Sequence, residues 1–357
     1  MVNVIGGGPA GSFFSSLASD SVNLFEEHKE IGKPVACTGI MTSAIKDLIK
    51  LDDSVVVNHL DIVKVIGPNV EFDINLKNKE IVVDRAGLDK FLVEKALSNN
   101  VKLYLEHKFI GSKDGYSLFK NKNSVKKYKQ DILVGADGPG SLVARENGLM
   151  ARRRYWVGKQ YSVKMKTELN VFKVYFGDVP DFFGWVVPES ENMARVGVAS
   201  EKNVNTYFDL LVKKLNISKN KFVECQAGPI PMYDPKCVTS KDNVYLLGDA
   251  AGMVKATTGG GLVYGMRGAK CLADCLKNGK NYEKEWRKSF GKELWFHLQV
   301  RNFLNKLKPG DYDKLIYLLN KTDLGSYNRD YPLKKLNLFL KPGLMMFVLK
   351  NLLKKNI

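Results

Sequence analysis

The chain has 357 residues, of which 45% are hydrophobic and 26% charged, a composition typical of a folded globular protein that excludes a disordered or fibrous chain. Its 55 Lys+Arg and 38 Asp+Glu give a net charge of +17, which suits nucleic acid, an anionic membrane surface or acidic partners. The sequence has no nucleic-acid-binding motif, and its five scattered cysteines and four separated histidines predict neither a disulfide framework nor a metal site.

Two hydrophobic periodicities alternate along the chain. In chain order, the predicted elements are a strand at 2–5, a helix through 18, a strand at 22–25, strand-like residues at 61–76, a helix at 88–97, a weak polar hairpin over 101–130, a strand at 131–134, antiparallel strands between 155 and 232 with one helix at 203–215, a strand at 244–247, a helix from about 260 to 277 and a helical, basic region over 281–357. The pattern predicts an α/β unit interrupted by an antiparallel sheet. No run reaches the roughly 18–20 apolar residues of a spanning helix, and no leader precedes the first strand, so we expect a cytoplasmic protein.

The turn after the first strand has the spacing of a dinucleotide-binding motif. Gly6 allows a tight turn, Gly8 lets the backbone approach a pyrophosphate, and Gly11 lets helix and strand pack closely; Ala10 lies in the same turn. Glu26, at the end of the second strand, is placed to bind ribose hydroxyls, with neighbouring Glu27 as the alternative.

Two later segments resemble the second and third FAD motifs of the flavoprotein monooxygenase and reductase superfamily. They are VGADG at 134–138 and YLLGDAAG at 245–252, and each is a short strand ending in a turn with an aspartate. The resemblance implies a Rossmann-like FAD-binding domain of the p-hydroxybenzoate hydroxylase type, with Asp249 on the ribityl chain and Arg85 against the cofactor. Asp137 fits either a cofactor contact or simple helix capping.

A glycine-rich turn before the predicted helix at 260 completes the cofactor prediction. Gly260, Gly261 and Leu262 let the backbone lie against the flavin ring, and the helix dipole favours negative charge on reduced flavin. No second dinucleotide motif is present, so electrons are expected from a protein donor such as a ferredoxin or from a transiently bound reductant.

Two further segments resemble the geranylgeranyl reductase family, whose archaeal members reduce digeranylgeranylglycerophospholipid. EEHKEIGKPVACTGI at 26–40 matches a family segment that ends in a cysteine-containing turn by the flavin, which implies that Cys37 and Thr38 line the cofactor site. PDFFGWVVP at 180–188, followed by Gly197, is close to the family fingerprint PxxYxWxFP. Phe183 and Val187 replace its tyrosine and phenylalanine, so the pocket stays apolar but lacks that hydroxyl.

The resemblance implies an FAD-dependent reductase that saturates C=C bonds of geranylgeranyl chains in prenyl phospholipids. Hydride comes from reduced flavin and a proton from an acid that the sequence does not identify. Aromatic rings stabilise a cationic centre, so Tyr175, Phe182, Phe183 and Trp185 are the predicted substrate pocket, and Cys37, Phe183 and Trp185 the predicted catalytic set.

The implied organisation is a discontinuous FAD-binding domain (1–60, 81–150 and 239–280), an antiparallel substrate domain (61–80 and 151–238) and a helical basic region (281–357). Residues 331–357 contain no acidic residue, and an amphipathic final helix there predicts peripheral contact with the inner membrane face of a monomeric protein. The lysines of this segment are Lys334, Lys335, Lys341, Lys350, Lys354 and Lys355.

Three other functions stay open at this point. A flavin monooxygenase or halogenase would share the fold, although the sequence lacks a WxWxIP motif. An electron-transfer flavoprotein dehydrogenase would need cysteine spacings that are absent. A lipid-binding flavoprotein without turnover is the non-enzymatic alternative.

Overall fold

The computed structural model describes residues 1–150 and 153–353. Its strands are β1 (Val2–Ile5), β2 (Val22–Phe25), β3 (Ile40–Met41), β4 (Val56–Ile66), β5 (Glu71–Val83), β6 (Val101–Tyr104), β7 (Lys108–Lys113), β8 (Tyr116–Asn121), β9 (Ser124–Lys129), β10 (Ile132–Gly135), β11 (Tyr155–Lys164), β12 (Val171–Tyr175), β13 (Gly184–Ser190), β14 (Met193–Ser200), β15 (Phe222–Pro231), β16 (Ser240–Lys241) and β17 (Val244–Leu246). Its helices are α1 (Pro9–Leu17), α2 (Arg85–Leu97), α3 (Leu142–Glu146), α4 (Val204–Lys214), α5 (Leu262–Asn278), α6 (Tyr282–Trp286), α7 (Lys292–Leu304), α8 (Pro309–Asn320) and α9 (Pro342–Leu353). A π-helical turn over Arg287–Gly291 joins α6 to α7, and short 3₁₀ helices occur at Ser43–Asp47, Asp53–Val55, Lys219–Lys221, Gly248–Ala251, Leu324–Ser326 and Pro332–Phe339.

The first sheet has the strand order β16-β17-β10-β1-β2-β6 and is parallel except for β16. Both β1 and β2 are buried along their whole length, which explains their near-continuous apolar sequence. The chain leaves β1 toward β2 on one side and reaches β10 on the other, so a crevice opens at the carboxyl ends of these strands. The predicted dinucleotide motifs all follow strands that end at this edge.

The second sheet has the order β15-β11-β14-β13-β12-β4-β5-β3. It is antiparallel, as predicted, except that β4 and β12 run parallel to each other. It also includes residues 40–41, 56–60 and 81–83, which the predicted division assigns to the FAD-binding domain. The division into domains stays a prediction. In the structure, the second sheet takes in residues on both sides of the predicted segment 61–80 and begins at residue 40.

The prediction for 101–130 needs correction. Residues 101–104 are not part of a hairpin, because β6 pairs in parallel with β2 at the edge of the first sheet. The rest forms a separate three-stranded antiparallel sheet of β7, β8 and β9. Phe25 of β2 stacks on Phe119 of this small sheet with ring centroids 4.0 Å apart, which fixes it against the first sheet.

The C-terminal helices form a small core of their own. Leu344 and Phe347 of α9 pack with Tyr312 and Leu315 of α8. Among the described residues, no single helix is long and apolar enough to cross a membrane. Pro332–Phe339 and α9, which meet at a bend of 96°, reach the required length and composition only when they are taken together. Lys354 and Lys355 of the predicted basic tail lie outside the described residues.

Candidate active site

A cavity of 340 Å³ lies where the two sheets meet, at the crevice of the first sheet. Its wall combines the turn before α1, the loop 36–42, the turn before α5 and strands of the second sheet. Nine of the residues predicted to bind the cofactor line it, namely Gly8, Ala10, Cys37, Thr38, Arg85, Asp249, Gly260, Gly261 and Leu262.

The glycine turn has the geometry that its spacing predicts. At Gly6, where φ is +106°, a Cβ would lie 2.3 Å from the Ala136 oxygen; at Gly11 it would lie 2.2 Å from the Gly6 oxygen. Both glycines are therefore required by close packing behind the cavity. Over Gly8, in contrast, no atom lies within 4 Å of the Cβ position, and this residue precedes α1 without a side-chain cap. The free backbone N–H groups of this helix start face open space, as an anion-binding site requires.

Glu26, rather than Glu27, belongs to this turn. Its carboxylate accepts hydrogen bonds from Gly7 N at 2.9 Å and His28 N at 3.0 Å, and its side chain is only 13% exposed. Glu27 instead forms a surface ion pair with Lys108 at 3.0 Å. The carboxylate beside the first turn is thus held in place by the glycine backbone.

The start of α5 forms the other polar side of the cavity. Gly261 caps this helix without a side-chain hydrogen bond, and a Cβ on it would lie 2.8 Å from Asp249 Oδ1. Burial raises the pKa of Asp249, against the attraction of Arg85 and Arg153. Arg85 pairs with Asp89 at 2.8 Å, while its buried Nε has no partner among the described residues. Two uncapped helix starts and an unsatisfied guanidinium N–H fit the phosphates and polar chain of a flavin dinucleotide.

Asp137 does not line the cavity. Its carboxylate accepts hydrogen bonds from Ser141 Oγ at 2.6 Å and from the backbone N–H groups of Leu142 at 2.8 Å and Val143 at 3.1 Å. Both oxygens thus cap the start of α3, so of the two roles open to Asp137 the structure shows helix capping.

An aromatic wall covers the side formed by the second sheet. Phe182 and Phe183 stack with centroids 4.4 Å apart, and the Phe183 ring meets the Trp185 ring edge-on at 6.0 Å. Trp185 pairs in register with Gly197, where a Cβ would lie 2.6 Å from the indole. Gly197, the glycine of the sequence fingerprint, therefore leaves the space that the Trp185 ring occupies against its backbone.

Tyr175, predicted in this pocket, is not part of it. Successive residues of a strand point to opposite faces, and on β12 it is Phe172 that lines the cavity. Tyr175 has the opposite parity and lies in the core of the second sheet, where burial raises its pKa to about 12.

The predicted turn at Cys37 and Thr38 is tied to a buried amide that sequence reasoning missed. Gln160 accepts hydrogen bonds from Thr38 Oγ1 at 3.0 Å and Trp185 Nε1 at 3.1 Å, and it donates to the Cys37 carbonyl oxygen at 3.2 Å. It also donates to Gln226 Oε1 at 2.6 Å. This network joins the cofactor side of the cavity to its aromatic wall.

A second set of missed residues is charged. Lys255 forms a buried ion pair with Asp330, Arg329 pairs with Glu80, and the two cations and Asp330 line the cavity. Lys255 lies within the glycine-rich segment after the third motif, which was a usable signal. Asp330 and Arg329 lie in an irregular segment after α8 that carries no recognisable pattern.

Comparisons with known proteins agree with this geometry. The chain is 29% identical over 361 residues to a protein of Methanocaldococcus jannaschii named as uncharacterized, covering 91% of this chain and 89% of the relative. It is 28% identical over 368 residues to digeranylgeranylglycerophospholipid reductase 3 of Methanosphaera stadtmanae, covering 90% and 91%. The lycopene cyclase protein family matches residues 189–320.

Solved structures show the same fold. The geranylgeranyl bacteriochlorophyll reductase-like protein of Thermoplasma acidophilum has a TM-score of 0.86 at 21% identity, covering 97% of both chains. The flavin-dependent halogenase CmlS has a TM-score of 0.63 at 17% identity, covering 95% of this chain and 70% of its own. The predicted fold class is confirmed. Over nine-tenths of its length the chain is similar to the geranylgeranyl reductases, and it has the fold of the FAD-dependent monooxygenase and reductase superfamily.

Proposed function

We propose that the chain is an FAD-dependent oxidoreductase that saturates C=C bonds in the geranylgeranyl chains of a prenyl phospholipid. The observation that carries the proposal is one continuous cavity, which joins a dinucleotide cradle to an aromatic wall of Phe182, Phe183 and Trp185. The name of the Methanosphaera stadtmanae relative supports the same substrate class.

FAD would be held by residues that the geometry brings together. The start of α1 at Gly8 and the start of α5 at Gly261 would bind the anionic parts of the cofactor, and Glu26, held beside the first glycine turn, would bind a ribose. Asp249 and Arg85 would contact the chain that links phosphate and flavin ring.

When bound and reduced, FAD supplies the hydride for the reaction. An isoprenoid double bond is unactivated, so proton addition to its less substituted carbon leaves positive charge on the tertiary carbon. The rings of Phe183 and Trp185 would stabilise this charge by roughly 0.5–2 kcal/mol each. Because neither ring carries a nucleophile toward that carbon, the charge persists until hydride arrives. Cys37 would line the flavin side of the same space.

The lipid and the electron donor both come from outside the chain. Leu340, Met346, Leu349 and Leu353 are exposed near the C-terminus, with Met346 at 71% and Leu353 at 81% exposure. Apolar side chains flanked by lysines favour an anionic lipid surface, so the enzyme would work in peripheral contact with a membrane. A reduced protein such as a ferredoxin would provide the electrons.

The test is anaerobic. The protein is purified, loaded with FAD and reduced with dithionite, digeranylgeranyl phospholipid is added, and the lipid is analysed by mass spectrometry. Mass gains in steps of two hydrogens that require the protein would support the proposal and count the bonds reduced. No gain with demonstrably reduced flavin would reject this substrate class. In a separate aerobic assay, rapid NADPH-driven oxygen uptake would instead favour the monooxygenase class.

A further inference from the structure

One part of the cavity wall is charged, although apolar side chains and glycine backbone line much of the rest. The side chains of Lys255 and Asp330 are only 8% and 1% exposed and form an ion pair, and Arg329 pairs with Glu80 beside them. Removing such ions from water costs several kcal/mol each, so a buried pair is weak evidence for a purely stabilising role.

The cluster is neutral as a whole, because two cations face two carboxylates. It therefore has no excess positive charge with which to recruit a phosphate. His297, on α7 behind it, has both ring nitrogens engaged: Nδ1 lies 2.7 Å from Thr257 Oγ1 and Nε2 lies 2.9 Å from the Arg329 oxygen. Burial lowers the pKa of His297 to about 3, so it is a neutral structural group.

Lys255 lies in the loop that precedes α5 and is held there by backbone hydrogen bonds to the glycine-rich turn. Its backbone N–H donates to the Gly260 oxygen at 3.1 Å, and its oxygen accepts from Gly259 N at 2.8 Å. Its side chain lies directly beneath the glycine turn, since a Cβ on Gly260 would be 3.3 Å from Nζ. Asp330 holds the ammonium from the other side, and its second oxygen accepts a hydrogen bond from Thr42 Oγ1 at 2.7 Å.

We propose that Lys255, oriented by Asp330, is the acid that delivers the proton to the substrate double bond. This inference rests on the reductase activity proposed above. An N–H bond of Lys255 breaks and leaves its electron pair on Nζ, while the π pair of the C=C bond forms the first new C–H bond. Reduced FAD, when bound, would supply the hydride whose two electrons make the second C–H bond. Solvent then returns a proton to the Lys255 amine.

The surroundings of Lys255 favour proton release. Burial lowers its pKa, and Arg329 adds to this effect; Asp330 and Glu80 act in the opposite direction, but the net direction is downward. Other titratable groups packed around the pair are His297, which is neutral, and Tyr264, whose ring centroid lies 5.8 Å from Nζ. Arg267, which pairs with Glu293 at 2.6 Å, donates a hydrogen bond to the Asp330 backbone oxygen at 3.0 Å. A buried ammonium of this kind is a stronger acid than that of a surface lysine.

Single and double variants separate chemistry from packing. Lys255→Met and Asp330→Asn each leave a buried partner unpaired, so both are expected to lose stability. The double variant removes both partners and is expected to recover stability and FAD content. The control is Arg287→Met with Glu283→Gln, which removes a partly buried ion pair that does not line the cavity.

Single-turnover oxidation of the reduced flavin by prenyl phospholipid is the first measurement. We expect the double variant to be at least about 100-fold slower than wild type, the usual contribution of a general acid, while the control stays close to wild type. Methylamine should restore part of the rate to Lys255→Ala. A stable, FAD-loaded double variant within about threefold of wild type would overturn the assignment.

A second measurement does not depend on turnover. Cyanate is small and carbamylates only unprotonated amines, so mass spectrometry of Lys255 after labelling at several pH values reports its pKa. We expect half-reaction at lower pH than for exposed Lys350, and lower again in Asp330→Asn, which lacks the carboxylate that stabilises the ammonium. If Lys255 stays unmodified or titrates like Lys350, the inference fails. If wild type reduces no prenyl lipid but Lys255 labels as expected, the proposed function fails instead.

Discussion

Gly197→Ala tests whether the aromatic wall depends on one missing side chain. The added methyl would lie 2.6 Å from two ring atoms of Trp185 and 2.6 Å from Gln160 Cβ. Ordinary contact begins near 3.4 Å, so the indole has to move by about 0.8 Å or the strands have to separate. Either movement strains the hydrogen bond from Trp185 Nε1 to Gln160, which is 3.1 Å long.

The expected cost follows from these contacts. Overpacking of a filled core costs typically about 1–3 kcal/mol, and loss of the buried indole hydrogen bond adds about 1 kcal/mol. Alanine recovers roughly 0.5–1 kcal/mol of backbone entropy relative to glycine. The free energy of unfolding should therefore fall by about 2 kcal/mol. Prenyl turnover should fall by more than about tenfold because the displaced ring enters the cavity.

The assay is urea denaturation at saturating FAD, combined with single-turnover reduction of prenyl lipid. Gly184→Ala on the neighbouring β13 position is the matched control, since its nearest contact is the flexible tip of Leu211 at 3.1 Å. The free energy of unfolding of that variant should fall by less than about 1 kcal/mol. If Gly197→Ala were as stable and active as Gly184→Ala, the packing argument for Trp185 would be refuted.

Three further predictions concern the cofactor, pH and the membrane. Gly8→Val should lose FAD but keep its circular dichroism spectrum, because the valine meets no protein atom within 4 Å of its Cβ and enters the space left for a pyrophosphate; full FAD occupancy would contradict this. The stability that neutral His297 contributes is complete above pH 6.5 and is lost as pH falls toward 3, since unfolded chains then take up a proton that folded chains do not. In urea denaturation the free energy of unfolding should fall by an amount on the order of 3 kcal/mol between pH 7 and 4, and by less in His297→Gln; equal losses would disprove the prediction. Met346→Glu with Leu349→Glu should reduce cosedimentation with anionic vesicles and leave activity on detergent-dispersed lipid unchanged; undiminished cosedimentation would remove α9 from the membrane contact.

The sequence carried most of the first sheet because its signals are local. The strands at Val2–Ile5 and Ile132–Gly135 are short apolar runs that end in glycine turns, and both are placed correctly. The strand at Val101–Tyr104 was missed since its alternating residues resemble the polar strands that follow, and only its pairing with β2 distinguishes it. Likewise, the parallel pairing of β4 with β12 joins residues more than 100 positions apart, which no local pattern records.

In the candidate site, too, residues with a local sequence signal were predictable, and residues defined by distant partners were not. Gly6, Gly8 and Gly11 were identifiable from their fixed spacing; at Gly6 and Gly11 close packing leaves no room for a Cβ, and at Gly8 the open space is left for the cofactor. Tyr175 was misplaced because aromatic content alone does not reveal on which face of a strand a residue lies. Gln160 and the Lys255–Asp330 pair were missed since a buried polar network is defined by partners that are distant in sequence.

The charged wall of the cavity is built from residues that are synthesised far apart along the chain. Thr42 and Asp330 are separated by 288 positions, Glu80 and Arg329 by 249, and Lys255 and Asp330 by 75. The glycine turns of the dinucleotide cradle are all synthesised by residue 262, before the segment that carries Asp330. A nascent chain thus contains every glycine turn of the cradle while Lys255 still lacks its carboxylate partner, and the charged wall cannot form until residues 324–331 have been synthesised.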